Sequence, residues 1–263
     1  MNWMHILVAE TRREYKRTLA FRLEFVADQL LFILGFLLLS GLFHLLSDGN
    51  RTELDLWTSL LGFVTWRVAD GIILHLVSSI DEESQWGTLE QLWLAGISPN
   101  ILFFCRSLVI LASYMMRAVL IAGVLLVSLG LTPHITFSMW AVFLLAQLGV
   151  MGSAYILMGL QLAFKRIASF TLAFTTALLF VTGALTPVDG VDWLTVVVQL
   201  LPLGPGIRLL QAEVIQPSPG LTLWLSGQGL WLVSHSIAYF VIGQIVFAWG
   251  ERYALVRGHL GQY

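Results

Sequence analysis

Apolar runs of roughly 20 residues, each closed by a short cluster of charge, dominate this sequence and leave it few possible folds. A run of that length is what a helix needs to cross ~30 Å of hydrocarbon. The charge sits between the runs: Arg12, Arg13, Lys16, Arg17 and Arg22 near the start, Asp81, Glu82 and Glu83 a third of the way along, and Lys165 with Arg166 later. A soluble domain of 263 residues needs a charged skin. With 57% hydrophobic and 11% charged residues and a mean hydropathy of +0.82, this chain cannot make one. The pattern predicts an all-α integral membrane protein with six transmembrane helices.

The expected spans are 25–46, 54–80, 101–131, 137–164, 167–185 and 230–249, within a transmembrane domain of residues 25–263. Residues 1–24 form a separate cytoplasmic segment. Within it, Trp3 to Arg22 reads as an amphipathic helix, with Met4, Val8, Tyr15 and Leu19 on one stripe and Arg12, Arg13, Lys16 and Arg17 on another. A helix so divided suits the membrane interface, apolar side down and basic side toward anionic headgroups; a solvated helix ahead of the membrane is the plainer alternative. No secretory signal is evident. Cys105, the only cysteine, permits no intrachain disulfide and suits a small apolar filler.

Lysine and arginine bias sets the orientation. With the N-terminus inside, Arg12, Arg13, Lys16, Arg17, Arg22, Lys165, Arg166, Arg252 and Arg257 lie on the inner side, against only Arg51 and Arg208 outside. Both termini are therefore expected in the cytoplasm of a plasma (bacterial inner) membrane. The proline- and glycine-rich region 186–220 holds an apolar stretch of about 15 residues, ~22 Å as a helix and short of a crossing. Leu201-Pro202-Leu203-Gly204-Pro205-Gly206 breaks it, which predicts a re-entrant hairpin from the outer side. A kinked extra span is the alternative.

The cytoplasmic insert 81–100 carries the most information. Gly87 permits a break, Thr88 and Gln91 make a capping box, and Gly96 with Ser98-Pro99 ends the short helix and opens the next span. The chain thus makes a compact elbow bearing acids and apolar residues, a docking knob for a cytoplasmic partner. Glu83 followed by Gly87-Thr88-Leu89-Glu90-Gln91-Leu92 and then Ser98-Pro99 resembles the coupling-helix signature of type 2 ABC exporter permeases. A basic amphipathic N-terminal helix, six spans and a proline-marked re-entrant region are also expected in that family.

The resemblance implies a half-transporter. Two permease chains, identical or related, would pair around a translocation path, and each would seat its elbow in a separate cytoplasmic ATPase. Glu82, Glu83, Gly87, Thr88, Leu89, Glu90 and Leu92 would make that coupling contact. ATP and magnesium would be bound by the ATPase and no cofactor by this chain, which has no phosphate-binding glycine-rich loop. The partners are then the ATPase, the second permease and the bilayer, with no nucleic acid. The substrate expected is a lipid, drug or other amphipathic compound, with polysaccharide or lipid-linked glycan as the alternative.

Arg67 and Asp70 fall mid-span and three residues apart, on one helix face. Charges at that depth cost several kcal/mol and face partners or water rather than lipid. They either lock helix packing, line the path or couple protons, and Arg117 and Asp28 invite the first two readings. His75 and His235 stand alone, without a second metal ligand at helical spacing. Gly149, Gly152, Ala154 and Gly159 form a small-residue stripe suited to close helix packing. Ser153 and His235 could mimic a serine–histidine dyad in an intramembrane enzyme, but small-residue packing also explains the serine. No catalytic residue is assigned, and a secondary transporter would leave the elbow without a purpose.

Overall fold

A computed structural model describes residues 3–46, 52–85, 91, 98–132, 135–186, 192–216 and 221–256. Ten helices are described: α1 Trp3–Ala20, α2 Arg22–Leu46, α3 Glu53–Gln85, α4 Pro99–Leu129, α5 Phe137–Phe164, α6 Ala168–Val181, α7 Asp192–Leu200, α8 Gly204–Ile215, α9 Leu221–Leu225 and α10 Gly227–Val256. Five of them, α2, α3, α4, α5 and α10, are long and apolar enough to cross a membrane, and α7 with α8 form a pair bent by 109° that makes a sixth if counted as one span. The molecule is thus an all-α, multi-span membrane bundle with one re-entrant-like pair.

Two boundaries differ from expectation. The fifth span, expected over 167–185, is the 14-residue α6, only ~21 Å long. Chain beyond its end extends it, for Ser59 donates to the Leu185 carbonyl at 2.5 Å and a Cβ on Gly62 would collide with Ala184. The polar insert also starts later than its composition indicated. Asp81, Glu82 and Glu83 belong to α3, which runs unbroken to Gln85, because nothing before Gly87 interrupts it and Gln85 bonds Asp81 one turn back. At the other end of the insert, Ser98 is the extended N-cap and Pro99 the first residue of α4. Proline is favoured there because its missing N–H has no helical partner to lose.

α3 is the central helix. It is buried along most of its length and packs on α4, α5, α6 and α8. The most extensive pairing is between α5 and α10. Gly152 and Gly159 on α5 meet Gly243 and Gly250 on α10, and a Cβ on Gly152 would strike the Tyr239 backbone, one on Gly243 the Gly152 carbonyl. The spacing is seven residues in both helices, and the contacts advance in the same chain direction, so the two helices run parallel. Lipid gives apolar side chains no reason to leave it, so helices associate here through close van der Waals contact, which small residues allow. The small-residue stripe read from the sequence therefore packs, with a matching stripe on α10.

The break between α7 and α8 reaches deep into the bundle. Pro202 lies against Gly149, twelve residues or ~18 Å along α5. Carbonyls released by a broken helix at such depth need partners. The Leu200 carbonyl accepts from Tyr239 Oη at 2.7 Å and contacts His235 Nε2 at 3.2 Å, and Gln199 accepts from Trp231 Nε1 at 3.3 Å. One face of α10 thus caps the bend, and on the α8 side Gln211 donates to Gly183 at 2.9 Å. His235, solitary in sequence, has this capping role. Ser153 donates to Val150 of its own helix at 2.7 Å, so the two residues of the conceivable dyad are engaged elsewhere.

Gly152→Val should overpack the α5–α10 seam and cost about 1–3 kcal/mol. Thermal unfolding in detergent would show a lowered midpoint, whereas Gly41→Ala, whose Cβ meets nothing within 4 Å, should leave it unchanged.

Candidate functional site

The charged residues of α1 recur at Glu10, Arg13, Glu14 and Arg17, spacings of three, four and seven that place them on one helical face. This face, not the apolar one, packs on the bundle. Ile6 and Glu10 are the buried residues of α1, whereas Met4, Val8, Tyr15 and Leu19 are all more than half exposed. Arg12 and Lys16 lie between the two faces on the open surface. The basic stripe is therefore split, and Arg13 and Arg17, expected to face headgroups, instead turn to carboxylates of α3.

At its centre is Arg106 of α4, with only 5% of its side chain accessible. Its Nε donates to Glu10 Oε2 at 2.9 Å and its Nη2 to Glu10 Oε1 at 3.1 Å, a two-pronged bond that fits the planar guanidinium. Its Nη1 lies 2.5 Å from Glu83 Oε1, which Arg13 reaches at 3.3 Å. Arg13 also lies 3.6 Å from Glu10. Two cations and two anions alternate around this cluster, tying the start of α4 and the end of α3 to α1.

A second group continues along the same face. Glu14 accepts from Arg117 at 3.3 Å and from Ser113 at 3.2 Å, and lies 3.6 Å from His75. Arg17 lies 3.0 Å from His75 Nε2 and bonds Glu82 at 3.2 Å. Deeper in the bundle, Arg67 bonds Asp28 of α2 at 2.5 Å, lies 3.6 Å from Asp70, and has its guanidinium 3.6 Å from the centre of the Phe32 ring. The four intramembrane charges picked from the sequence thus divide: Arg67, Asp70 and Asp28 join in one cluster, and Arg117 belongs to the α1 network. All four pair with protein side chains.

Of the seven expected coupling residues, Glu82 and Glu83 are described. Gly87, Thr88, Leu89, Glu90 and Leu92 lie outside the described residues, as does Thr88 of the capping box, while its partner Gln91 is helical and exposed. Glu83 is buried and ion-paired, and Glu82 is 43% exposed at the side chain. On either side of residues 86–97, Glu83 near the end of α3 and Arg106 near the start of α4 are ion-paired to one another.

Sequence reasoning missed Glu10, Glu14 and Arg106. The spacing of the α1 charges contained a signal for the first two: a stripe of alternating sign opposite an apolar stripe needs a charged partner. Arg106 had no such signal, since one arginine near the start of a span also suits snorkelling to the interface. Compared with known proteins, the chain matches no family model, no curated protein and no solved structure.

Arg106→Ala would leave Glu10 and Glu83 buried without their shared cation, which costs about 3–5 kcal/mol. Unfolding of the purified protein in detergent should shift down accordingly, and much further than for Glu82→Gln, whose half-exposed pair with Arg17 is worth about 1 kcal/mol or less.

Proposed function

We propose that this chain is the permease subunit of an ATP-driven exporter of the type 2 ABC class. It forms half of a dimeric translocation path and is driven by a separate cytoplasmic ATPase. The observation that carries the proposal is the anchored elbow: Glu83 through Ser98-Pro99 bears the coupling-helix pattern, and its two ends are tied by Glu83 and Arg106 to one another and to α1. A lever needs fixed attachment points, and the ion pairs of Glu83 and Arg106 beside its ends support that reading. Both termini are cytoplasmic by the positive-inside bias, which puts the elbow on the side where ATP is available.

For the substrate we favour lipids, drugs or other amphipathic compounds over sugars. Support comes from a cleft of about 280 Å³ between α3, α4 and α5 whose walls include Trp57, Met115, Ala118, Met139, Trp140 and Phe143. Among the described residues its only polar groups are the Thr65 hydroxyl and the indole N–H groups of Trp57 and Trp140. A glycan would lose its water there with few hydrogen bonds to replace it, whereas a hydrocarbon group loses nothing.

Two experiments test the proposal. The protein should copurify with an ABC ATPase encoded beside it and raise that enzyme's turnover when amphipathic substrates are added. Glu90→Lys should abolish this stimulation while the permease still inserts and unfolds at its usual temperature; stimulation unchanged in the variant would remove the elbow from the mechanism. Glu83 is a poor site for this test, because a lysine there would also face Arg106 and Arg13. Gly123→Phe, placed on the cleft wall where a Cβ meets nothing within 4 Å, should fill the cleft and lower transport with ATPase binding intact.

A further inference from the structure

A second, polar cavity of about 470 Å³ opens where α1 turns into α2, bounded by those helices and by α3 and α4. Its size is that of a ligand pocket. The accessible charges differ in sign between the walls. Arg17 and Thr18 lie on the α1 side, with His75 and the paired Glu14 and Arg117 behind them, while Glu24 and Asp28 lie on the α2 side. Arg117 is nearly buried and already bonded to Glu14, whereas Arg17, though it bonds Glu82 and lies against His75, keeps 37% of its side chain accessible. Asp28 engages Arg67 through Oδ2 yet keeps 34% of its side chain accessible, and Glu24 is exposed. Phe21, Phe25 and Tyr114 supply aromatic surface between the walls.

A simple anion entering here would meet Glu24 and Asp28, and a simple cation would meet Arg17 and Arg117. A molecule with both charges a few ångströms apart satisfies both walls. The cavity also has an apolar exit: Ala27 and Leu31 line it, and Leu34 and Leu38 continue the same face of α2 away from it, with Leu31, Leu34 and Leu38 exposed by 68%, 54% and 73%. α2 is only sparsely packed on the bundle, so this track faces lipid.

We infer that the cavity holds the headgroup of a zwitterionic phospholipid from the leaflet on the α1 side, with its phosphate at Arg17 and Thr18, its ammonium at Glu24 and Asp28, and an acyl chain along Leu31, Leu34 and Leu38. The rings add cation–π attraction for the ammonium. Lipid binding at this site is independent of the ATPase coupling proposed above, and either can fail without the other.

The test uses the purified full-length protein in detergent, titrated with dioctanoyl phosphatidylethanolamine, dioctanoyl phosphatidylglycerol and free phosphoethanolamine, with bound lipid counted by native mass spectrometry. The expected result is one saturable phosphatidylethanolamine bound at least about tenfold more tightly than phosphatidylglycerol, which lacks the ammonium, with free phosphoethanolamine failing to compete at the same concentration. Glu24→Gln should erase the preference for ethanolamine, and Arg17→Gln should weaken both lipids. Both side chains reach open surface, so neither change threatens folding. Equal binding of the two lipids by the unaltered protein would overturn the inference, as would undiminished, still selective binding by both variants. Competition by free phosphoethanolamine at the lipid's own concentration would make this a site for a soluble compound instead.

Discussion

One arginine in a place that has little water organises the end of this bundle where the chain begins. Arg106 is almost wholly buried, and an ion so placed is tolerated only when its charge and its N–H groups are met. Glu10 and Glu83 meet them from two other helices. The same requirement reappears in each unusual part of the molecule. Arg67 is met by Asp28 and Asp70, and the carbonyls at the α7–α8 break are met by Tyr239, His235 and Trp231. In a soluble protein water would relieve many of these groups. Here the protein must do so, and the helices are arranged accordingly.

That rule also explains why α1 lies as it does. An amphipathic helix at a membrane surface turns its apolar stripe to lipid, which leaves its opposite face for the bundle. Apolar packing could not hold that face, so ion pairs do. The stripe of Glu10, Arg13, Glu14 and Arg17 matches acids and bases on α3 and α4 at three successive levels, from Glu83 and Arg106 through Glu82 and His75 to Arg117. Charge pairing fixes register better than greasy contact does, because a shift of about one turn would set Arg13 beside Arg106 in place of Glu10.

Much of this was legible in the sequence. Long apolar runs gave four helices nearly to the residue at their starts, since hydropathy and length are local properties. Pro202 and Pro205 marked the break between α7 and α8, and the glycine stripe of α5 marked its closest seam. What could not be read depended on distant segments. The turn ahead of α6 is one case, where Gln161 donates to Lys165 O and Asp81 and accepts from Ile167 N. A lone glutamine in an apolar run gives no hint of that role. The partner of Arg106 is 96 residues away, and no helical periodicity spans such a distance. Arg67 and Asp70 were seen as neighbours, but Asp28, the nearer partner, lay on another helix.

The parallel seam of α5 and α10 divides the molecule mechanically. Backbones that touch through glycine at two levels one heptad apart can neither slide nor roll without collision, and the capped bend of α7 and α8 is fastened to the same pair. This side acts as a fixed frame. By contrast α2 is anchored chiefly through Asp28 and a few aromatic contacts, with little of its surface buried. Of the long helices α2 is thus the least fastened, while α1 is held by its ion pairs and the glycine-welded pair by its backbone contacts.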